Sequence, residues 1–534
     1  MNEPSLLLQL PDPCLLTVLQ YCADDHCSLF SAARAHSRLH QAAVLALTSI
    51  KAVVVEQHID SLMLYLGKHG QQIESVDLTD EAHTVILRQL PHDRLQKLSS
   101  LKLRDMWLQL LPGEEGTRGF GCPGIVAGLH LKQLHLDSVL LDKQGLQAAL
   151  LSLPMLEQFS YREDVDVESV FSHEVVQVLQ QLTYLQLPFC KLKGPDSLQQ
   201  LQGLTRLQEL RLGLLCDWQS HHTVTASTLS GLQQLTHIEL KAPGSHTCEL
   251  EPGALAVKTQ LHHLELVNVR IAGGSAGVLL LMSHLQQMRQ LTFLSLRDSL
   301  ESTAPAATYS ALTVSSKLQH IDVSHCVLPA GVWQHMFPDG RQLPHLQVLG
   351  VGRMDSSVTG TAAAPDVSSL VSCCRGLQSL EMEMAFGAES LAALTGLSSL
   401  LKLDMWVDDP PSEGLKVVCQ LTGLRELHLA FSSTADGLLL QLTQLRQLTR
   451  LHYSDVVDDE DDSQDFIDKW YNAVVGTCCT HPVTYTCCRL QAYIWQSCRL
   501  VGPSGTINLS EFIETQPIFP KQCQWNWINC QLSK

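Results

Sequence analysis

The sequence predicts an α/β solenoid, with short parallel strands along one side and short helices along the other. One observation is a nine-residue pattern, L-x-x-L-x-x-L-x-L, that recurs through most of the 534 residues. Its last three apolar positions alternate with polar ones, which is the period of a half-buried strand. A second observation is that the rest of each unit carries apolar residues three and four apart, as at Leu391, Leu394 and Leu397. That is the period of a helix, so each unit reads as one strand and one helix.

The third observation is the regular spacing of the copies. Clear copies run from Leu204 to Leu212, from Leu232 to Leu240 and from Leu421 to Leu429. The next-to-last apolar residue of the copies falls at Val53, Val76, Leu101, Leu134, Phe159, Leu185, Leu210, Ile238, Leu264, Leu294, Ile321, Leu349, Leu380, Leu403, Leu427 and Leu451. The steps are 23 to 33 residues, and (451 − 53)/15 gives an average of about 26.5.

This pattern and this period resemble the leucine-rich repeat, whose units have roughly 20–29 residues. The resemblance implies a horseshoe-shaped solenoid with a parallel sheet on its concave face and helices on its convex face. We expect about sixteen units over residues 49–455. Because each unit contacts its neighbours, such an array extends one core along the chain instead of forming several domains.

The polar residues that flank the inward leucines of each strand should project into the concavity, because side chains alternate between the two faces of a strand. Early units place mainly basic residues there, and later units place acidic ones. The predicted target-binding residues are Lys102, Arg104, Arg162, Arg211, Lys241, Glu381, Glu383, Asp404 and Trp406. Trp406 is the expected anchor, since tryptophan is favoured at binding hot spots. An ordinary solvated face is the alternative interpretation.

Two strands end in the form L-x-L-x-x-C, at Cys190 and Cys326. In leucine-rich repeats this position turns the chain inward, and a small polar side chain there satisfies backbone donors.

Residues 5–48 precede the array and predict three short helices. Asp12 is a good N-cap and Pro13 suits the first helical position. The first helix places Leu15, Val18 and Leu19 on one face. The second carries Leu29, Ala32 and Ala33, and the third carries Leu39, Ala42, Ala43 and Ala46. Three such helices bury little apolar surface alone, so they should pack on the first repeat or on another protein.

This segment resembles the F-box at Leu10-Pro11-Asp12, Leu15-Leu16, Val18-Leu19, Tyr21, Leu29, Ala32-Ala33-Arg34 and Ser37-Arg38. The family usually has an aliphatic residue at the position of Ala35 and Trp at that of Leu39. The resemblance implies docking on a Skp-type adaptor and, through it, on a cullin-RING ubiquitin ligase, while the repeats hold an unidentified target protein. The residues expected to bind the adaptor are Leu10, Pro11, Leu15, Leu16, Val18, Leu19, Leu29 and Ala33. The alternative is a scaffold or inhibitor in which these helices only cap the solenoid.

Composition narrows the class of partner and the compartment. The formal charge of −18 argues against nucleic acid as the main partner, because phosphate binding needs clustered Lys and Arg. The apolar run from Ala42 to Val55 is too short to span a bilayer, so no membrane association is expected. Without a basic, apolar leader, the eighteen cysteines are most simply reduced thiols in the cytoplasm or nucleus.

Motifs with catalytic associations occur in contexts that do not suit them. Gly119 to Gly124 spells G-x-G-x-x-G inside a loop and not between a strand and a helix. Gly273 to Gly277 spells G-x-S-x-G, but about six residues separate Ser275 from the preceding strand. The histidines have no partners at ligand spacing. We therefore expect no catalytic residue, no metal and no cofactor, and a binding protein in place of an enzyme.

The repeat pattern stops before residues 456–534. Eight acidic residues and no basic one lie between Asp455 and Asp468. The remaining tail is rich in Cys and Trp, and Cys478-Cys479 with Cys487-Cys488 could supply zinc ligands. Their spacing matches no established zinc motif. We interpret this region as an acidic linker and a poorly ordered tail.

Overall fold

The protein is described by a computed structural model that covers residues 10–21, 35–80, 86–87, 90–108, 126, 128–139, 141, 143–192, 198–215, 222–243, 248–301, 304–354, 367–383, 388–407, 416–431 and 444–455. The loop with Gly119 to Gly124, the second predicted helix and the whole of residues 456–534 lie outside these ranges.

One parallel sheet runs through the described chain. It has seventeen strands. The short strand Val165–Asp166 pairs at the side of Tyr184–Lys191, and the others form one ladder in which each strand pairs with the next in sequence. The ladder strands are β1 Ser49–Val53, β2 Ser75–Thr79, β3 Ser100–Arg104, β4 Gln133–Asp137, β5 Gln158–Arg162, β6 Tyr184–Lys191, β7 Glu209–Leu215, β8 His237–Lys241, β9 His263–Val267, β10 Phe293–Ser295, β11 His320–Leu328, β12 Val348–Met354, β13 Ser379–Met382, β14 Lys402–Val407, β15 Glu426–Phe431 and β16 Arg450–Asp455.

The register of the ladder tests the predicted positions of the sixteen next-to-last apolar residues, which we call the landmark residues. Fifteen of the sixteen landmark residues, from Val76 to Leu451, occupy equivalent positions on neighbouring strands. The first landmark was wrong, because Ile50 and not Val53 pairs with Val76. Ile50 is buried, whereas Val53 is 61% exposed at the end of its strand. The fold is a leucine-rich-repeat solenoid.

The two faces of the sheet differ in burial because its strands alternate. In β2, β4 and β8 the second and fourth residues are buried, and the first and third are half-exposed. The buried residues join one continuous apolar core that extends from Leu15 to Leu448. We call the surface formed by the first, third and fifth residues of the strands the open face.

Short helices and turns cover the other side of the core. The α-helices are Asp12–Tyr21, Ser37–Ala46, Glu56–His69, Lys143–Leu151, Val167–Val170, His173–Val178, Ala226–Ser230, Gly274–Leu285, Val332–Met336, Ser368–Cys373 and Ala388–Leu394. The 3₁₀ helices are Gly70–Gln72, Gln199–Gly203, Pro252–Leu255 and Ala306–Thr313. Short outer strands, also parallel, are Ile86–Leu87 with Trp107–Leu108, and His222–Val224, Cys248–Leu250 and Arg270–Ile271.

A tight turn occurs at one fixed position in five of the described repeats. The residue five places after the start of the strand has a positive φ at Asp105, Ser138, Asn268, Asp298 and His325. Asp, Asn and His adopt this left-handed conformation more readily than most residues. The next residue is buried in every case, and Cys326 is one of them. The inward turn is thus confirmed at Cys326, although its thiol donates to the Leu296 carbonyl (2.9 Å) and so satisfies an acceptor and not a donor. Cys190 is buried as well, but the residue before it does not have a positive φ.

The helices before the array pack on its first repeat. Helix Asp12–Tyr21 buries Leu15 and Leu19, and helix Ser37–Ala46 buries Leu39 and its three alanines. Asp12 does not act as the predicted N-cap, since it lies within the helix. Its carboxylate accepts hydrogen bonds from Arg38 Nε (2.7 Å) and Nη2 (2.5 Å), and Arg38 also donates to the Leu10 carbonyl (2.6 Å). This contact fastens one helix to the other.

Within the described ranges, no helix combines the length and apolar character needed to cross a bilayer. The G-x-S-x-G segment lies at the start of helix Gly274–Leu285, where Ser275 is exposed. It is not on a sharp turn directly after a strand, so it lacks the geometry of a nucleophile elbow.

Candidate functional site

Basic residues of the open face are partly neutralised by acids on the neighbouring strand. Arg104 on β3 lies 3.2 Å from Asp77 on β2, and Arg162 on β5 lies 3.2 Å from Asp137 on β4. Each guanidinium has five N–H donors and uses one of them in this contact. These pairs link adjacent strands and still leave cationic donors at the surface.

Farther along the sheet the pairing is denser. The Lys241 ammonium on β8 contacts Glu239 at 2.8 Å and Glu265 at 3.0 Å. Arg211 on β7 lies 3.3 Å from Glu209 and 3.8 Å from Glu239. Both predicted basic residues are therefore held between carboxylates, which leaves this part of the open face without a positive surplus.

A depression of about 230 Å³ opens over β3 to β6. Its polar lining comes from four neighbouring strands: Lys102, Arg104, His135, Asp137, Ser160, Arg162 and Gln186. Three of the five predicted basic residues thus meet at one place. The other two, Arg211 and Lys241, do not line it.

A stack of aromatic rings crosses the middle of the open face. His237, His263, Phe293 and His320 occupy the first position of four adjacent strands. Successive ring centroids are 3.7, 4.0 and 4.1 Å apart, and the ring planes are within 9° of parallel. This stack was not predicted, although an alignment of the repeats on their landmark residues places these four rings at the same position.

The acidic half contains linked contacts that span four strands, from Arg297 after β10 to Glu383 after β13. The Nη2 of Arg297 donates to His325 Nε2 (2.9 Å), so the imidazole carries its proton on Nδ1, which faces the Glu383 carboxylate. The backbone N–H of His325 also donates to Glu383 Oε2 (3.0 Å). Burial raises the pKa of Glu383, against the opposing effect of His325. Ligand atoms of His325, Glu381 and Glu383 lie within 4.8 Å of one another. Two of these groups already have a cationic neighbour, since Arg297 Nη2 is 2.9 Å from His325 Nε2 and 3.8 Å from Glu381.

Two glycines on β12 make room for this contact. A Cβ at Gly352 would lie 2.3 Å from the Cys326 carbonyl oxygen, and one at Gly350 would lie 2.5 Å from Asp322 Oδ1. β11 bulges between Val323 and Val327. The bulge therefore folds over two positions of β12 that lack side chains, which lets His325 reach Glu383 on the far side.

The last predicted residues of the open face lie on β14. Asp404 Oδ2 is 2.8 Å from His428 Nδ1 on β15, a charge-assisted cross-strand contact when the imidazole is protonated. Trp406 pairs in register with Ala430; its side chain lies outside the described part of the structure, and its role as an anchor stays a prediction.

The residues predicted to bind an adaptor differ in how far their side chains are exposed. Leu15 is fully buried and Leu19 is 3% exposed, both within the core of the chain itself. Leu10 and Leu16 are half-buried against that core. Pro11 and Val18 are exposed. Leu29 and Ala33 lie outside the described residues.

Comparisons with known proteins give no family model that matches this chain. No curated protein matches it either. Among solved structures, a leucine-rich-repeat protein of Leptospira interrogans is 15% identical over 79% of this chain and 99% of its own, with a TM-score of 0.36. An internalin of Listeria monocytogenes is 15% identical over 81% and 94%, with a TM-score of 0.35. A TDR receptor is 13% identical over 76% and 66%, with a TM-score of 0.44. The strand ladder, and not these weak likenesses, establishes the fold.

Proposed function

We propose that this protein is a protein-binding scaffold that takes a target on its open face. The observation that carries the proposal is the run of half-exposed polar and aromatic side chains on successive strands, backed by a rigid apolar core. Binding surfaces of this kind need side chains held in place by packing, because ordering flexible groups on association is costly.

We further propose that the N-terminal helices attach this scaffold to a Skp-type adaptor of a cullin-RING ubiquitin ligase. The support comes from one side of helix Asp12–Tyr21. Pro11, Cys14 and Val18 are exposed at helical spacing, beside the buried Leu15 and Leu19. In this arrangement the buried pair holds the helix on the solenoid, and the exposed stripe next to it meets the adaptor. The scaffold would then act by raising the effective concentration of its target near the ligase.

Co-purification with a Skp-type adaptor tests the ligase half of the proposal. The full chain is compared with Val18→Asp, which places a charge on the exposed stripe, and with Thr17→Asp, which places the same charge on a neighbouring exposed position. We expect the adaptor to be retained by the native chain and by Thr17→Asp and to be lost from Val18→Asp, with all three chains equally stable to heat. Absence of the adaptor from the folded native chain would refute ligase association.

A specific observation favours the second candidate function, a scaffold or inhibitor without a ligase. Leu39, where F-box proteins usually have Trp, is buried in the chain's own core at 5% exposure, and so are Ala42, Ala43 and Ala46 of the same helix. A pair of helices that closes the exposed end of a solenoid would be packed in this way. The same co-purification separates the two functions.

A further inference from the structure

We propose that the depression over β3 to β6 binds a phosphorylated side chain of a protein partner. The site is defined by Lys102, Arg104, His135, Arg162 and Gln186, which line it together from four adjacent strands. The inference deepens the proposed function and rests on its first half, that the open face binds protein.

Three cationic side chains at the depression have donors that no carboxylate uses. Within the described ranges, the Lys102 ammonium has no ion-pair partner. Arg104 is 40% exposed and Arg162 is 60% exposed, and each gives one nitrogen to a carboxylate. The ends of three cationic side chains thus remain accessible around one hollow. Guanidinium groups match the oxygen geometry of phosphate better than any other side chain.

Gln186 lines the depression in an orientation that the protein itself fixes. Its Oε1 accepts hydrogen bonds from the Tyr184 hydroxyl (2.7 Å) and the Ser160 hydroxyl (3.3 Å). Because two donors from the protein fix the oxygen, the amide NH₂ is left to donate to a bound group. A neutral donor of this kind adds hydrogen bonds without adding charge.

The local charge balance at the depression is positive. Burial of the imidazole and then repulsion by Lys102 and Arg104 lower the pKa of His135, against an opposing effect of Asp77. His135 is therefore neutral near pH 7 and can donate one N–H. The three cations Lys102, Arg104 and Arg162 are balanced by only two carboxylates, Asp77 and Asp137. The depression therefore keeps a positive surplus on a chain whose formal charge is −18. Over less than the Debye length of roughly 8 Å this local surplus dominates.

Size and charge distinguish a phosphate from a carboxylate here. Strands lie about 4.8 Å apart, so the donors on four strands are spread over roughly 14 Å. The Lys, Arg, His and Gln side chains among them offer more N–H donors than the two oxygens of a carboxylate can accept. A phosphoserine or phosphothreonine carries nearly two negative charges and three acceptor oxygens. Only a few phosphates could be held, which suits one modified residue of a peptide and not a nucleic acid backbone.

The test measures capture of degenerate 11-residue peptide libraries by the full chain. The three libraries carry phosphoserine, serine or glutamate at the central position. We expect the phosphoserine library to be retained at least about tenfold over the other two, because a phosphate offers nearly two negative charges and three acceptor oxygens, against one charge and two oxygens for glutamate and none for serine. Equal retention of the glutamate library, or no enrichment of the phosphoserine library, overturns the proposal.

A double variant and a control variant test whether the phosphoserine peptides bind in this depression. Lys102→Gln with Arg162→Gln should lower retention of the phosphoserine library about tenfold. Lys132→Gln is the matched control: Lys132 is exposed, adjoins β4 and pairs with Glu157 at 2.9 Å, but it does not line the depression. It should leave retention unchanged. Equal loss in the control, or no loss in the double variant, places any binding elsewhere and refutes the site.

Failure of this proposal is distinguishable from failure of the ligase proposal. None of these substitutions lies in helix Asp12–Tyr21, so adaptor binding and phosphopeptide capture are measured independently. A native chain that retains the adaptor but captures no phosphopeptide refutes only the phosphate site in the depression. A chain that captures phosphopeptides without an adaptor retains the site and refutes ligase association.

Discussion

At the residue scale, Lys258 has the least expected environment of any described residue. It is 1% exposed, and its ammonium donates to the Leu229 and Leu232 carbonyls at 2.7 Å each. Leu229 lies in helix Ala226–Ser230 and Leu232 lies just after it, both in the preceding repeat, so one lysine joins two neighbouring units. Burial lowers the pKa of Lys258 to about 8.

This pKa predicts a pH-dependent stability. The folded state loses the Lys258 proton near pH 8, while an unfolded lysine keeps its proton to about pH 10.4. Between these values the unfolded state binds more protons, so the free energy of unfolding should rise with pH by up to about 3 kcal/mol. Denaturant unfolding of native protein and Lys258→Met at pH 7.5 to 10 measures the difference. Lys317→Met, at an exposed lysine, should follow the native protein; a Lys258→Met profile that also matches it would contradict the prediction.

At the element scale, the bulge of β11 depends on the bare surface of β12. Gly352→Ala would place a methyl group against the backbone of Cys326 and Val323. The bulge must move, and the hydrogen bond between the His325 N–H and Glu383 should break. Overpacking of this kind typically costs about 1–3 kcal/mol.

The matched control is Gly67→Ala in helix Glu56–His69. Nothing lies within 4 Å of a Cβ at that position, and alanine favours a helix interior by up to about 1 kcal/mol. Thermal unfolding should therefore show a lower midpoint for Gly352→Ala and an equal or higher midpoint for Gly67→Ala. A Gly352→Ala chain as stable as the native protein would mean that the bulge is not held against β12.

At the scale of the whole molecule, the ladder makes stability a property of neighbouring repeats. Leu294 on β10 is 1% exposed, and its replacement by alanine should cost about 2–5 kcal/mol. Because contacts in a solenoid are with adjacent units, amide exchange should quicken most in β9 to β11 and little in β2 to β4. Leu279→Ala, at a side chain that is 46% exposed on helix Gly274–Leu285, should change exchange in neither region. Uniform acceleration along the ladder would show instead that the sheet unfolds as one unit.

The sequence by itself determined the repeat, its period and the buried leucines, because the apolar pattern that specifies them is local and recurs in every unit. Even its one misplaced landmark, Val53, lies three residues from the correct Ile50. Contacts between units were decided only by the tertiary structure. Lys258 is an ordinary polar residue in sequence, and its burial depends on carbonyls 26 and 29 residues earlier. Likewise His325 meets Glu383 across 58 residues because a bulge and two glycines coincide.

The candidate site divides in the same way. Sequence placed Lys102, Arg104 and Arg162 on one face, since alternation along a strand is local. It did not reveal that these three share a depression while Arg211 and Lys241 are enclosed by carboxylates. Nor did it separate the buried Leu15 and Leu19 from the exposed Val18. Helical period fixes which residues share a face, but the packing of that helix on the first repeat decides which face is covered.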